Sequence, residues 1–284
     1  MDHVDDVLGR TALFESLDQE GAAGLRSQMH SVEVARGERL FGEGDVGDKL
    51  YVVLDGKIKL TRTAADGREN LLSVVGPSEM FGELSLFDPR PRTQTATALT
   101  DTRLAALDHQ ALRDWLTGRP DVALHLLRAL AQRLRRTNDV MTDLVFTDVP
   151  GRVAKALLDL ADRFGVQRPE GLQVNHDLTQ EELAQLVGAS RETVNKALAD
   201  FVGRGWIQLA AKSVLLVDLD RLRKRARLAG PAAPAASPAP AEGAPGQPGT
   251  PAGPGLTTGQ SATGTDPRRR IPAPRSRPPC DLPS

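Results

Sequence analysis

The sequence predicts an α+β chain: a small N-terminal antiparallel barrel or jelly roll, then a long helix, a winged helix-turn-helix and a disordered C-terminal tail. Three observations predict it. Short β-favouring runs separated by turn signals fill the stretch from His30 to Asp108, a heptad stripe runs from Leu124 to Val145, and a capped pair of short helices spans Leu178 to Arg204.

The strand region, set at 1–117, is read from its turns. GDKLYVVLDGKIKLTRT carries an Asp55-Gly56 hairpin signal, and AADGRENLLSVV carries a second at Asp66-Gly67. Between them Lys57-Ile58-Lys59-Leu60 alternates, which places the apolar side chains on one face. Many short strands at regular spacing suit closure into a barrel or jelly roll.

The helix, set at 118–147, opens at Pro120, where a missing N–H costs nothing. Leu124, Leu127, Ala131, Leu134, Met141 and Val145 follow the a/d spacing of a coiled coil, with Asn138 on the same seam. Arg133, Arg135, Arg136 and Asp139 fall off it. A stripe this long suits a partner helix, so a parallel homodimer is expected; the alternative is a helix laid on its own domain.

The second domain, 148–229, begins with a helix after Pro150 and Gly151, which read as the hinge, and continues through a loop from Gly165 to His176. Thr179 followed by Glu182 is a capping box that opens a short helix, Gly188 ends it, and Ser190 caps the next. Val194, Ala197, Leu198, Phe201 and Val202 form the buried face of that second helix; Arg191, Glu192, Asn195 and Lys196 lie opposite. In a helix-turn-helix those side chains meet base edges. Arg191 can give guanine O6 and N7 a bidentate pair, and Glu192 can accept from cytosine N4. Ser190 and Thr193, with the helix N-terminal amides, suit phosphates, Thr179 belongs to the same DNA-binding set, and Lys196 suits either a base or the backbone. WIQLAAKSVLLV then reads as the two strands of a wing, with Lys212 near its tip as a further phosphate contact.

From 230 to 284 the chain is rich in Pro, Ala and Gly, ends in RRR and RSR clusters and has hardly a large apolar side chain, so disorder is expected. Charge is uneven along the chain: residues 1–149 hold 18 Lys+Arg against 24 Asp+Glu, whereas 150–229 hold 13 against 10. That asymmetry suits one nucleic-acid-facing module. The single cysteine, Cys280, excludes a disulfide framework, a thiolate zinc site or an iron–sulfur cluster within the fold. Neither His109 nor His125 has the surroundings of a haem ligand, and no nucleophile–base set or metal cluster points to an enzyme. Without a signal-peptide pattern or an apolar run of spanning length, a cytoplasmic protein free of the membrane is expected.

One stretch, FGELSLFDPRPRTQTATA from Phe81 to Ala98, places a carboxylate and two arginines close together. Read alone, Glu83 and Arg92 suit a surface ion pair. The motifs GRENLL, MFGELSLFDP, FTDVPGRVAKALL and LTQEELAQLVGASRETVNKALADF carry a further observation. Over roughly residues 5 to 225 the chain resembles the Crp/Fnr family of bacterial transcription regulators, above all its actinobacterial cAMP receptor branch.

The resemblance implies a cyclic-nucleotide-binding jelly roll, a dimerisation helix and a winged helix-turn-helix, in the order read above. It implies that the amides from Gly82 through Leu84 and Ser85 face the cyclic phosphate, that Glu83 holds the ribose 2′-OH, and that Arg92 with Thr93 binds the phosphate. It places Thr137 and Asn138 beside the adenine, although a seam Asn also suits coiled-coil register. Arg90, in the loop DPRPR, is expected to be solvated. The resulting expectation is a cAMP-responsive homodimer on a palindromic, TGTGA-like double-stranded DNA site, with RNA polymerase as a partner and no metal. The alternative is a Crp/Fnr-type regulator that binds DNA largely independently of cAMP.

Overall fold

The structure, a computed structural model, describes residues 3–227 apart from Ser16 and Pro89. The expected disordered tail, with its basic clusters and Cys280, lies outside the described residues.

Two short helices, α1 (His3–Gly9) and α2 (Gln19–Ser27), precede eight strands: β1 (His30–Val34), β2 (Arg39–Phe41), β3 (Lys49–Asp55), β4 (Ile58–Thr63), β5 (Glu69–Val75), β6 (Met80–Phe81), β7 (Thr95–Ala98) and β8 (Thr102–Asp108). A one-turn helix, α3 (Leu84–Phe87), lies between β6 and β7. The strands form two antiparallel four-stranded sheets, ordered β1-β8-β3-β6 and β2-β7-β4-β5, which is the jelly roll the turn spacing predicts. Ile58 and Leu60 are buried between the sheets while Lys59 points outward, so the period-2 pattern sets the register of β4. Phe41, Tyr51 and Phe81 pack as a ring cluster, with centroids 5.4 to 6.0 Å apart.

Only one of the two hairpin signals makes a hairpin. Asp66-Gly67 joins the paired strands β4 and β5, but Asp55-Gly56 carries the chain from one sheet to the other. A Cβ on Gly56 would stand 2.5 Å from the Asp101 carbonyl, so glycine is needed there for close approach of two backbones.

After α4 (His109–Leu116), the helix α5 (Pro120–Phe146) runs 27 residues. Its start is anchored by Val122 and Leu126, both fully buried. Beyond them the predicted seam lies open within this single chain: Leu127, Leu134, Met141 and Val145 are 57%, 62%, 62% and 74% exposed.

The remaining elements are α6 (Val149–Phe164), β9 (Gly165–Arg168), β10 (Gly171–Asn175), α7 (Gln180–Val187), α8 (Arg191–Gly203), β11 (Ile207–Ala210), β12 (Ser213–Leu216) and α9 (Leu219–Arg227). The helix α6 begins at Val149 rather than after Pro150 and Gly151, which lie in its first turn, and the Asp148 carboxylate caps it by accepting the Gly151 N–H at 3.1 Å. The expected loop from Gly165 to His176 is instead a hairpin, β9–β10, and β10 pairs with β12 in a sheet ordered β11-β12-β10-β9. Its polar strands carry little local β signal; ladder bonds to β12, some forty residues on, hold them. Leu71 and Val74 of β5 and Leu99 join Val153, Leu157, Val187, Val194, Leu198 and Phe201 in one apolar cluster, so the helix-turn-helix packs against the second sheet.

Candidate functional site

The β6–β7 connection folds back on itself through Gly82, whose φ of +83° suits glycine and whose position a Cβ would crowd, 2.8 Å from Arg92 Nη1. Arg92 is 5% exposed, and its guanidinium donates to the carbonyls of Gly82 (2.9 Å) and Lys49 (2.6 Å) and lies over the Phe41 ring, 4.3 Å from its centroid. Burial pushes its pKa down from the usual arginine value, opposed by Tyr51 and nearby carboxylates, yet an arginine so placed stays a cation. Among the described residues its Nε has no partner.

Glu83 is 1% exposed and does not pair with Arg92. Its Oε1 accepts instead from Nη1 of Arg133, on α5, at 2.5 Å, and its Oε2 has no partner among the described residues. Buried polar atoms are rarely left unpaired, because each loses its water for nothing in return. Here two of them, on side chains of opposite charge, border one narrow cleft of about 20 Å³ lined by Phe41, Leu60, Leu84, Ser85, Thr93 and Gln94 as well. The two charges suit a small ligand with a hydroxyl donor at one end and an anionic group at the other, for which the cleft must widen. Arg133 escaped the sequence reading, which placed it off the seam; its only signal was a charge facing away from the seam, and its partner lies fifty positions earlier.

Thr137, one turn beyond Arg133, donates its hydroxyl to the Arg133 carbonyl at 3.0 Å; it and Asn138 are exposed and stand outside the cleft lining. Arg90 is exposed beside Asp88, as expected. His109 is buried and donates from Nε2 to the Gly82 carbonyl at 3.2 Å; burial, then the Arg92 charge, hold its pKa below the usual histidine value. Among the described residues no group of three or more His, Cys, Asp or Glu is placed to hold a metal ion.

The second site is the helix pair. The capping box at the start of α7 is complete: the Thr179 hydroxyl accepts the Glu182 N–H at 3.2 Å and Glu182 Oε2 accepts the Thr179 N–H at 2.8 Å. Gly188 ends α7 in the left-handed region, and the Ser190 hydroxyl caps α8 by accepting the Thr193 N–H at 3.3 Å. Val194, Ala197, Leu198 and Phe201 are buried as predicted, whereas Val202, expected among them, is 42% exposed because it lies at the edge of the stripe. On the outer face Arg191, Glu192, Thr193 and Lys196 are exposed; Lys196 pairs with Glu192 at 2.7 Å, and Asn195 donates to Gln180 at 3.2 Å. Lys212, at the tip of the β11–β12 hairpin, has a φ of +61° and gives its carbonyl to the Asp177 N–H at 2.9 Å.

Two lysines of β4 and its lead-in hold this module to the jelly roll. Lys57 Nζ lies 2.5 Å from Asp177 Oδ2, and Lys59 Nζ lies 2.7 Å from Glu182 Oε1. Arg163 of α6 adds a pair with Glu79 at 2.5 Å. Burial pushes the Glu182 pKa up, but the hydrogen bonds from Lys59 and Thr179 outweigh it and leave the carboxyl below its usual value. His176, buried beside this contact, uses neutral Nδ1 to accept the Leu178 N–H at 3.1 Å, and burial holds its pKa down.

Residues 31–118 match the cyclic nucleotide-binding domain family, and residues 151–225 match the Crp-like helix-turn-helix domain. The chain is 57% identical to the CRP-like cAMP-activated global transcriptional regulator of Mycobacterium tuberculosis over 224 residues, 79% of this chain and 100% of the relative. It is 37% identical to the cyclic AMP receptor protein of Thermus thermophilus over 179 residues, 63% of this chain and 80% of the relative. Among solved structures, a CRP-family transcriptional regulator, also from Thermus thermophilus, superposes with a TM-score of 0.60 at 30% identity, over 71% of this chain and 100% of that one.

Proposed function

Because this chain belongs to the Crp/Fnr family of transcription regulators, we propose that it is a cAMP-responsive homodimer that binds a two-fold symmetric, TGTGA-like DNA site in the cytoplasm and there recruits or blocks RNA polymerase. One observation carries the effector assignment: a buried carboxylate and a buried guanidinium each leave a polar atom unpaired beside the same cleft.

Arg92 and Thr93 take the cyclic phosphate, with the amides from Gly82 through Ser85 around it, since guanidinium suits phosphate oxygens. A carboxylate repels phosphate, so Glu83 takes the ribose 2′-OH. The adenine end then reaches toward Thr137 and Asn138 on α5, where the open seam receives the same helix of a second copy. A ligand shifts the DNA-binding equilibrium only through its unequal affinity for the two states. The Glu83–Arg133 pair supplies that inequality, because it ties the sugar end of the cleft to the dimer helix.

On the DNA side, Arg191, Glu192, Asn195 and Lys196 read base edges, while Thr179, Ser190, Thr193 and Lys212 meet phosphates. Lys196 and Glu192 must part to do so; being exposed, their pair is weak and easily exchanged. The effector assignment is tested by calorimetric titration of cAMP into the wild type, Arg92→Lys and Arg92→Ala. Strong heat for the wild type and losses graded from Lys to Ala are expected. Equal heats for all three would overturn it.

A further inference from the structure

The basic excess of the C-terminal module sits in one helix that neither the pocket nor the recognition helix uses. Within seven residues α9 carries Arg221, Arg223, Lys224, Arg225 and Arg227; without those five, residues 150–229 hold 8 Lys+Arg against 10 Asp+Glu. Only Leu222 and Ala226 of that run are buried, so a narrow apolar stripe docks the helix and the other positions carry charge. Cations in the last turn of a helix favour its dipole, which accounts for Lys224, Arg225 and Arg227 as helix enders. That account does not extend to Arg221, which sits in the first turn with its N–H capped by Asp218 at 2.9 Å, where the dipole disfavours a cation. Among the described residues Arg223 is held only by exposed Asp220, at 3.5 Å, and no carboxylate pairs with Arg221, Lys224 or Arg227.

A chain of contacts through α6 links this helix to the turn that precedes the recognition helix. Arg225 pairs with Asp148 at 2.5 Å, and that carboxylate caps α6 and has its pKa lowered chiefly by the arginine. In the first turn of α6, Arg152 donates to the carbonyls of Val187 (3.0 Å) and Gly188 (3.1 Å), the turn from which α8 begins. The end of α9 and the start of α6 are thus tied to the turn between α7 and α8.

We propose that the basic face of α9 is a second, sequence-independent DNA contact, holding phosphates that flank the base pairs read by α8. The inference rests on the DNA-binding reading above. A duplex carries closely spaced phosphates, and neutralising them releases counterions; like charges packed on one helix otherwise only repel.

The test is the salt dependence of DNA binding by the full chain with cAMP, comparing the wild type with Arg221→Gln/Lys224→Gln/Arg227→Gln on a duplex carrying the inverted repeat and on a scrambled duplex. The log–log slope falls by roughly 0.9 for each phosphate contact removed, about 3 to 5 for a dimer losing most of six. Discrimination between the two duplexes should stay unchanged. A control with the same charge change on the jelly roll, Arg10→Gln/Arg62→Gln/Arg68→Gln, should keep the wild-type slope, and thermal melting by circular dichroism should coincide for all three proteins. Specific binding with an unaltered slope in the α9 variant overturns the inference and leaves the reading of α8 standing. An unaltered slope with weakened binding to RNA polymerase likewise overturns it in favour of a protein-facing surface. Absence of specific binding by the wild type overturns the reading itself.

Discussion

The cleft of the jelly roll and the outer face of α8 both carry charged residues assigned to ligands, yet they hold them in opposite ways. In the cleft, Glu83 and Arg92 are almost wholly buried and each keeps an unpaired polar atom. On α8, Arg191, Glu192 and Lys196 stand in solvent, and Lys196 simply pairs with its neighbour. Among the described residues, single buried atoms without a partner also occur elsewhere, at Asn195 of α8, Arg103 and Arg163; what sets the cleft apart is that two nearly buried side chains of opposite charge each keep one beside the same opening, so the charges are held in place beforehand. A surface for DNA needs no such preparation, since water serves its side chains until phosphates and base edges replace it.

That contrast predicts where a substitution is felt. Arg92→Ala removes the donor from two carbonyls and should cost about 3 kcal/mol of fold stability in urea unfolding, besides weakening cAMP. Equal stability of the variant would break the comparison. Arg191→Ala should cost about 1 to 3 kcal/mol of specific DNA binding and relax discrimination at one base pair per half-site, with fold stability within about 0.5 kcal/mol of wild type. A uniform loss on all sequences would make Arg191 a phosphate contact instead.

Smaller effects belong to the contact between the two regions. Lys59→Ala removes a partly exposed ion pair and should lower stability by about 0.5 to 1 kcal/mol while changing DNA affinity without cAMP, measured by mobility shift. Unchanged affinity would separate that pair from the coupling. Acid should loosen the same contact through His176. Its folded pKa lies below the ordinary 6.5, so the unfolded chain takes up the proton first; the stability from neutral His176 is full above about that pH and falls as pH drops below it. The urea midpoint should therefore decline below pH 6.5, less steeply in His176→Gln; His109, shifted the same way, keeps part of the slope.

The elements most legible in the sequence are those whose causes are local. Pro120 with its heptads marks α5, Thr179 with Glu182 marks α7, and Ser190 marks α8, because a cap or a periodic face is decided within a few residues. Glu83 and Arg92 stand in one short motif, but the roles proposed for them rest on the family resemblance, since local spacing alone suggests a surface pair. What escaped was decided across the chain. Asp55-Gly56 has the chemistry of a hairpin turn, but β3 finds its partners in β6 and β8. The strands β9 and β10 take their order from β12, and Glu83 takes its partner from α5. Spacing along the chain also suggests Glu83 and Arg92 as a pair; their separate partners are set by three-dimensional neighbours that such spacing does not encode.

Through cAMP, the cleft of the jelly roll and α8 are expected to act as one coupled unit. The most direct measurement is a mobility-shift titration of a duplex carrying the TGTGA-like inverted repeat, with and without cAMP, for the wild type and Arg92→Lys. The account predicts that cAMP tightens DNA binding by the wild type and much less by Arg92→Lys. Equal DNA affinity of the wild type in the two conditions would contradict it.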